Sequence, residues 1–218
     1  MKVGTWNMKG RWTPAHEELL RDQRCDVWLL TEVSDRMTLG DHNGIRTTSA
    51  MAPKKAWAGV FSTHPLERLP EPHPASAAAT VDGITFCSSA LPWKGFSGEA
   101  PWTGGNHADR TKAAVRSISA TLPHGDLVWG GDWNHSLSGR EYAGSMEGRQ
   151  HVLDAVEALR LDVPTSHEPH RISGLLSIDH IAVPHGWPAV VVRVVADGLS
   201  DHDAYVVELD RAQREKAS

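Results

Sequence analysis

The sequence predicts an α+β fold in which two largely antiparallel sheets pack face to face with helices outside, and three observations lead there. Strand-like runs outnumber helical ones, and most are joined by short loops rather than by helices. The dipeptide Asp82-Gly83 separates two apolar runs of strand length, the preferred chemistry of a two-residue hairpin. At 218 residues and 40% hydrophobic content the chain can bury one substantial core but not two comfortable ones. One domain is therefore expected over residues 1–211, with a charged tail at 212–218.

Each element has a local reason. Lys2-Val3-Gly4-Thr5-Trp6 is a short strand closing on Asn7. Thr13-Pro14 is a helix start, with Thr at the N-cap and Pro at the first helical position, and Leu19 and Leu20 give that helix an inward face to about Arg24. Asp26 to Thr31 is a second strand closing on Glu32, and Trp57 to Phe61 a third. From Thr63 to Pro74 the chain holds four of its thirteen prolines, so no helix persists there and a loop is expected. Ala77 to Val81 and Ile84 to Cys87 flank the hairpin turn. Helices are expected at about Ala108 to Ala120 and Met146 to Leu159, the second with Val152, Ala155, Val156 and Leu159 at helix-face spacing. Strands are expected at Asp126 to Trp129, Ser177 to Val183, Val190 to Val195 and Tyr205 to Leu209.

Composition narrows the function classes. No stretch approaches the ~18–20 consecutive apolar residues that span a bilayer, and Met1-Lys2-Val3 enters a strand without a leader-like segment, so a soluble, unprocessed, cytoplasmic protein is expected. Cys25 and Cys87 read as reduced, buried small hydrophobes, with a bridge left open. A net charge of -5 argues against a protein coated in positive charge for generic nucleic-acid binding. It leaves room for a local rim from Lys9, Arg11, Lys54, Lys55, Lys94, Arg110, Lys112, Arg140 and Arg149, each of which alone reads as an ordinary surface cation. A monomer is expected, and no protein partner can be inferred.

The chemistry gathers at strand ends. Leu199-Ser200-Asp201-His202-Asp203 brings a carboxylate and an imidazole to the mouth of the last strand. Gly130-Gly131 leads into Asp132-Trp133-Asn134-His135, and Asp179 lies inside an apolar β-branched run. An ionised Asp in such a run costs several kcal/mol unless it is paired, and His202 is the natural partner. Alone, Asn7 reads as a turn former, Glu32 as a solvated carboxylate and Asp132 as a turn residue. If the ends converge at one rim, acidic and amide residues without Cys are what hard Mg²⁺ prefers, with Mn²⁺ a substitute.

In order along the chain, the segments TWN, LLTEV, GGDWN, SIDHI and LSDHD resemble the endonuclease/exonuclease/phosphatase superfamily, over Thr5 to Asp203. The resemblance implies a four-layer α/β/β/α sandwich of the deoxyribonuclease I-like kind and Mg²⁺-dependent hydrolysis of phosphodiesters or phosphomonoesters. By position it implies Glu32 as the main metal ligand, Asn7 beside it and Asp201 completing the metal side. It implies Asp132 as the group that positions or activates water, Asn134 as donor to a phosphoryl oxygen, His202 at the scissile phosphate and Asp179 as its orienting carboxylate.

One departure stands out. Many members place a His or Tyr in a strand ending just before a proline, and the matching segment, Cys87 to Gly95, holds neither. Ser89, Lys94 or His107 are the available substitutes. Of the nine tryptophans, Trp6, Trp28 and Trp129 are expected in the core. Trp12, Trp93, Trp102 and Trp133 fall in rim loops, where an indole stacks on a base or packs, so Trp93 and Trp133 join the substrate-binding set. His64, His73, His167 and His170 read as surface or capping residues; His135 and His180 sit beside the site, where packed or solvated rings are expected.

The leading expectation is a nuclease acting on DNA or RNA. A phosphatase or phosphodiesterase on a small phosphorylated metabolite or lipid headgroup is the first alternative, favoured by the acidic balance. A non-catalytic binding module on the same scaffold is the second, supported only by the missing His or Tyr. Endo or exo action and substrate are set by the loops Gly10 to Pro14, Asp35 to Lys55, Trp93 to His107 and Leu137 to Gly148, which carry no translatable motif.

Overall fold

The structure is a computed structural model that describes residues 1–98, 100–123 and 125–210; the charged tail expected at 212–218 lies outside the described residues. In chain order the elements are β1 (Lys2–Asn7), α1 (Pro14–Asp22), β2 (Val27–Ser34), β3 (Asn43–Arg46), β4 (Ala50–Ala52), β5 (Lys55–Ser62), β6 (Leu66–Arg68), β7 (Ser76–Val81) and β8 (Ile84–Ser89). Then follow α2 (His107–Thr121), β9 (Leu127–Asp132), α3 (Met146–Ala158), β10 (Leu161–Asp162), a 3₁₀ turn (Pro164–His167), β11 (Asp179–Pro184), β12 (Ala189–Val194) and β13 (Ala204–Leu209).

Two sheets result. The first has the order β12-β13-β1-β2-β5-β3, with β4 also on β5, and the second the order β10-β11-β9-β8-β7-β6. Each is antiparallel except for one parallel pair, β1 with β2 and β8 with β9. Both parallel pairs are bridged by a helix, α1 and α2, because parallel neighbours need a crossover. The expected largely antiparallel sheets are thus present.

Three apolar clusters define four layers. Val3, Leu29, Val60, Phe86, Val128 and Ile181 interdigitate between the sheets. Trp6, Leu20, Trp28 and Leu30 fill the space between the first sheet and α1. Trp129, Ala114, Ile118, Val152 and Val156 bury α2 and α3 on the second sheet. A strand covered on both sides loses polar alternation, which is why β1, β2, β9 and β11 read as continuous apolar runs.

Local expectations hold at most elements. The Asp82-Gly83 hairpin has positive φ at both turn residues, +47° and +78°, as its turn type requires. Thr13 is the N-cap of α1, but its hydroxyl pairs with His16 Nδ1 at 2.7 Å instead of capping a backbone N–H. Ser145 and Asn106 supply side-chain caps to α3 and α2. The stretch 63–74 is corrected: it contains β6, which pairs with β7 as the sheet's edge strand, where breakers are tolerated. Cys25 and Cys87 are both buried and free, and burial pushes each thiol up to about 12. Among the described residues no helix is long and apolar enough to cross a membrane.

Candidate active site

Strand order builds the site. β1 and β2 run parallel and end together, with Asn7 opposite Thr31, one residue before Glu32. In the other sheet β11 runs antiparallel to β9, so its first residue, Asp179, pairs with Asp132, the last residue of β9. β13 runs antiparallel to β1, which brings the 200–203 turn to the same rim. Five chain-distant segments therefore meet at one end of the sandwich.

Asn7 joins the two sheets. Its Nδ2 donates to Glu32 Oε1 at 3.2 Å and to Asp132 Oδ2 at 2.8 Å, while its Oδ1 accepts the Lys9 N–H at 2.9 Å. Glu32 is held at φ +50°, and the β2–β5 register skips it between Thr31↔Ala58 and Val33↔Ala56. A left-handed non-glycine residue costs of order 1–2 kcal/mol, and here it turns the carboxylate out of the sheet toward Asn7 and Lys55.

The second pole is the imidazole. His202 Nδ1 lies 2.7 Å from Asp179 Oδ2, so the carboxylate accepts Nδ1–H and fixes the tautomer. Backbone bonds hold the turn: His202 N–H donates to Ser200 Oγ, Ser200 Oγ donates to the Asn7 carbonyl, and Trp6 Nε1 donates to the His202 carbonyl. Asp132 Oδ1 accepts the Asn134 N–H at 3.1 Å, and Asn134, at φ +53°, anchors its amide on the Leu91 carbonyl at 3.0 Å. Gly131 makes this strand end possible: its φ is +126°, and a Cβ there would stand 2.2 Å from the Ser89 carbonyl oxygen.

Electrostatics separates the roles. Burial, and then the neighbouring Asp179 charge, push the Asp132 carboxyl up to about 7, against the favourable His202 charge and Asn7 bond. Burial would lower the His202 imidazole, but the Asp179 and Asp132 carboxylates outweigh it and hold it up to about 10. Asp132, Asp179 and His202 present ligand-type atoms within 4.8 Å of one another. Within that group Asp179 and His202 are already bound to each other at 2.7 Å, while Asp132 takes the Asn7 amide. The Glu32 carboxylate, oriented by the Asn7 amide, is the oxygen chemistry that suits a hard divalent cation.

A pocket of ≈ 170 Å³ opens over these groups, lined by Asn7, Glu32, Asp132, Asn134 and His202 on one side and Met51, Trp57, Ala90 and Trp93 on the other. Trp93, expected in a rim loop, is among the residues that line this pocket. Three other expectations are corrected. Trp133 is fully buried, its ring tilted against Trp129 at 4.3 Å between ring centres, because α3 covers that face. Ser89 is buried and accepts the Trp129 indole N–H at 3.0 Å, so its hydroxyl serves the core. His107 is spent on Ser145 Oγ and the Pro92 carbonyl, tying the 92–107 loop to α3. Lys94 is an exposed side chain outside the pocket lining, although its N–H anchors the loop on the Ala143 carbonyl. Trp102 likewise packs inward, edge-on to Trp57, Trp93 and Phe96.

Asp201 stands apart from the cluster, its carboxylate outward in an ion pair with Lys9 at 2.8 Å. Although partial burial opposes it, the Lys9 hydrogen bond and charge leave its pKa lowered. Sequence reasoning named Lys55 only as one of nine rim cations and His170 only as a surface or capping residue, whereas Lys55 binds Glu32 Oε2 at 2.9 Å and the buried His170 ring lies 6.5 Å from His202. It missed Tyr142, whose ring abuts His170 and whose pKa is raised by burial and then by Asp179 and Asp132. No spacing argument points to any of them. His135 and His180 are packed, and burial lowers each to about 4.

No protein-family model and no curated protein matches the chain. Solved structures do. An endonuclease/exonuclease/phosphatase from Beutenbergia cavernae aligns at TM-score 0.68 and 16% identity over 96% of this chain and 71% of its own. The AP endonuclease of Leishmania major aligns at TM-score 0.68 and 13% identity over 94% and 86%. The endonuclease domain of TRAS1, a telomere-specific non-LTR retrotransposon, aligns at TM-score 0.62 and 14% identity over 95% and 97%.

Proposed function

For a chain that has the deoxyribonuclease I-like fold of the endonuclease/exonuclease/phosphatase superfamily, we propose a divalent-metal-dependent phosphoric ester hydrolase, acting as a nuclease on DNA or RNA. One observation carries the reading. Asn7 ties Glu32 to Asp132 across the two sheets while Asp179 locks His202, so two poles of complementary chemistry face a single pocket.

Glu32, with Asn7 beside it, would hold Mg²⁺ or Mn²⁺, which when bound polarises a phosphoryl oxygen and neutralises its charge. Asp132, with a pKa near neutrality, orients the attacking water and takes its proton. The second N–H of the Asn134 amide is free to donate to a phosphoryl oxygen while the first stays on Leu91. His202 enters as imidazolium, offsets charge spreading over the phosphoryl group and passes its Nε2 proton to the leaving oxygen as the P–O bond breaks. Asp179 keeps Nδ1–H throughout and stabilises the cation. Trp93 and Trp57 give the pocket a flat apolar wall for a base or sugar beside the phosphate. Two free buried thiols fit the reducing cytoplasm expected from the sequence.

A small phosphoester is the second reading, favoured because the pocket is small and Lys55 and Lys9 are both already paired. The test is hydrolysis with Mg²⁺ of labelled single- and double-stranded DNA, RNA, a chromogenic phosphodiester and a chromogenic phosphomonoester. Cleavage of the polymers supports the nuclease. Turnover of small esters alone moves the assignment to a phosphatase or diesterase, and no turnover of any substrate rejects the enzyme.

A further inference from the structure

Glu32 already has a cation. Lys55 Nζ lies 2.9 Å from Glu32 Oε2, and the two side chains are 24% and 22% exposed. The other oxygen, Oε1, takes the Asn7 amide, so each oxygen of the proposed metal carboxylate already accepts one of the protein's own donors. The lysine is built in. It lies opposite Ser34 across the β2–β5 ladder, and its stem runs under the 8–10 turn, where a Cβ on Gly10 would meet Lys55 Cε at 2.7 Å and Cδ at 2.9 Å. Gly10, at φ +68°, also donates its N–H to the Glu32 carbonyl, so turn, carboxylate and ammonium form one unit. The arrangement recurs on the far side of Asn7, where Lys9 holds Asp201, though that pair is more exposed.

A hard divalent cation and an ammonium cannot share one carboxylate at contact distance without strong like-charge repulsion. We propose that Lys55 is the resident counter-ion of Glu32, that metal binding displaces it, and that the freed ammonium then takes a phosphoryl oxygen of the substrate. This rests on the metal role proposed for Glu32. Lysine suits such a transfer because its charge is a point at the end of four methylenes, with three donors that need no fixed geometry. The consequence is coupling. Lys55 lowers metal affinity while the pocket is empty, and a bound phosphoryl group, by drawing Lys55 away from Glu32, restores it.

The experiment is Mn²⁺ binding, followed by electron paramagnetic resonance, to wild type, Lys55→Gln, Lys55→Arg and Glu32→Gln, each with and without saturating inorganic phosphate. Circular dichroism confirms folding, and Lys55→Arg guards against a packing defect in Lys55→Gln. Lys55→Gln is expected to bind Mn²⁺ about fivefold tighter than wild type without phosphate, because a partly buried competing pair is gone. Phosphate is expected to tighten Mn²⁺ binding more in wild type and Lys55→Arg than in Lys55→Gln. Equal Mn²⁺ affinity in Lys55→Gln and wild type, or equal phosphate coupling, overturns the role of Lys55 and leaves Glu32 untouched. Wild-type affinity in Glu32→Gln, or no Mn²⁺ binding by folded wild type, instead overturns the metal reading and this inference with it.

Discussion

Replacing Asp179 by Asn removes one negative charge from the buried end of the site with almost no change in volume. His202 bonds to Asp179 at 2.7 Å and has its pKa held up to about 10 from 6.5, chiefly by Asp179 and Asp132 against burial. At 1.36 kcal/mol per pH unit that rise corresponds to ~5 kcal/mol of preference for the imidazolium. Asp179, the nearer and the larger contributor, accounts for at least half, so ~2–3 kcal/mol of stabilisation of the charged ring is lost. Turnover should fall about a hundredfold, since each 1.4 kcal/mol is tenfold. The same change takes a like charge from beside Asp132, whose carboxyl then titrates below its present value of about 7. Both limbs of the pH–rate profile should therefore move to lower pH, an outcome that a packing defect does not produce. The assay is kcat/KM against pH on whichever ester the enzyme turns over, with the His202 resonance followed by NMR titration. Activity within threefold of wild type, or a His202 pKa that stays near 10, would refute the reasoning.

Other outcomes follow from the same geometry. Trp93→Ala should raise KM about tenfold and cost less stability than Trp133→Ala, which should lose ~3–5 kcal/mol, because Trp93 is half-buried beside the pocket and Trp133 fully buried in the core. Gly131→Ala should lose about 3 kcal/mol or more in urea unfolding, since its φ is +126° and its Cβ would meet the Ser89 carbonyl at 2.2 Å. Thermal stability should peak near pH 6.5. Burial lowers His73, His135 and His180 each to about 4, so between pH 6.5 and 4 the unfolded chain binds more protons at these sites and stability drops on acidification. Asp132, raised to about 7, opposes one of the three. Above 6.5 the raised His202 pKa reverses the sign, and its contribution is lost as pH rises to about 10. A Tm that rises steadily from pH 6.5 to 9 would contradict this.

The candidate site was legible because its members lie at or beside the ends of β1, β2, β9, β11 and β13, where a polar residue next to an apolar run has no solvent to explain it. Asp179 is the clearest case: the run around it demanded a partner, and that partner is His202. The short edge strands β3, β4, β6 and β10 were not legible. They span two to four residues, too few for periodicity, and depend on β5, β7 and β11 to exist at all. Loop position was equally misleading for Trp133 and Trp102, because α2 and α3 cover the first and Trp93 and Phe96 pack edge-on against the second. Lys55 was one of nine rim cations in sequence, and only the left-handed backbone at Glu32 and the turn at Gly10 bring it to the carboxylate.

The most direct measurement is the Mg²⁺-dependent cleavage rate of end-labelled DNA by wild type and by an Asp132→Asn, His202→Ala double variant purified identically, each with and without EDTA. The account predicts cleavage by wild type alone, abolished by EDTA and reduced to background in the variant. Equal cleavage by the folded double variant, or wild-type cleavage that persists in EDTA, would contradict it.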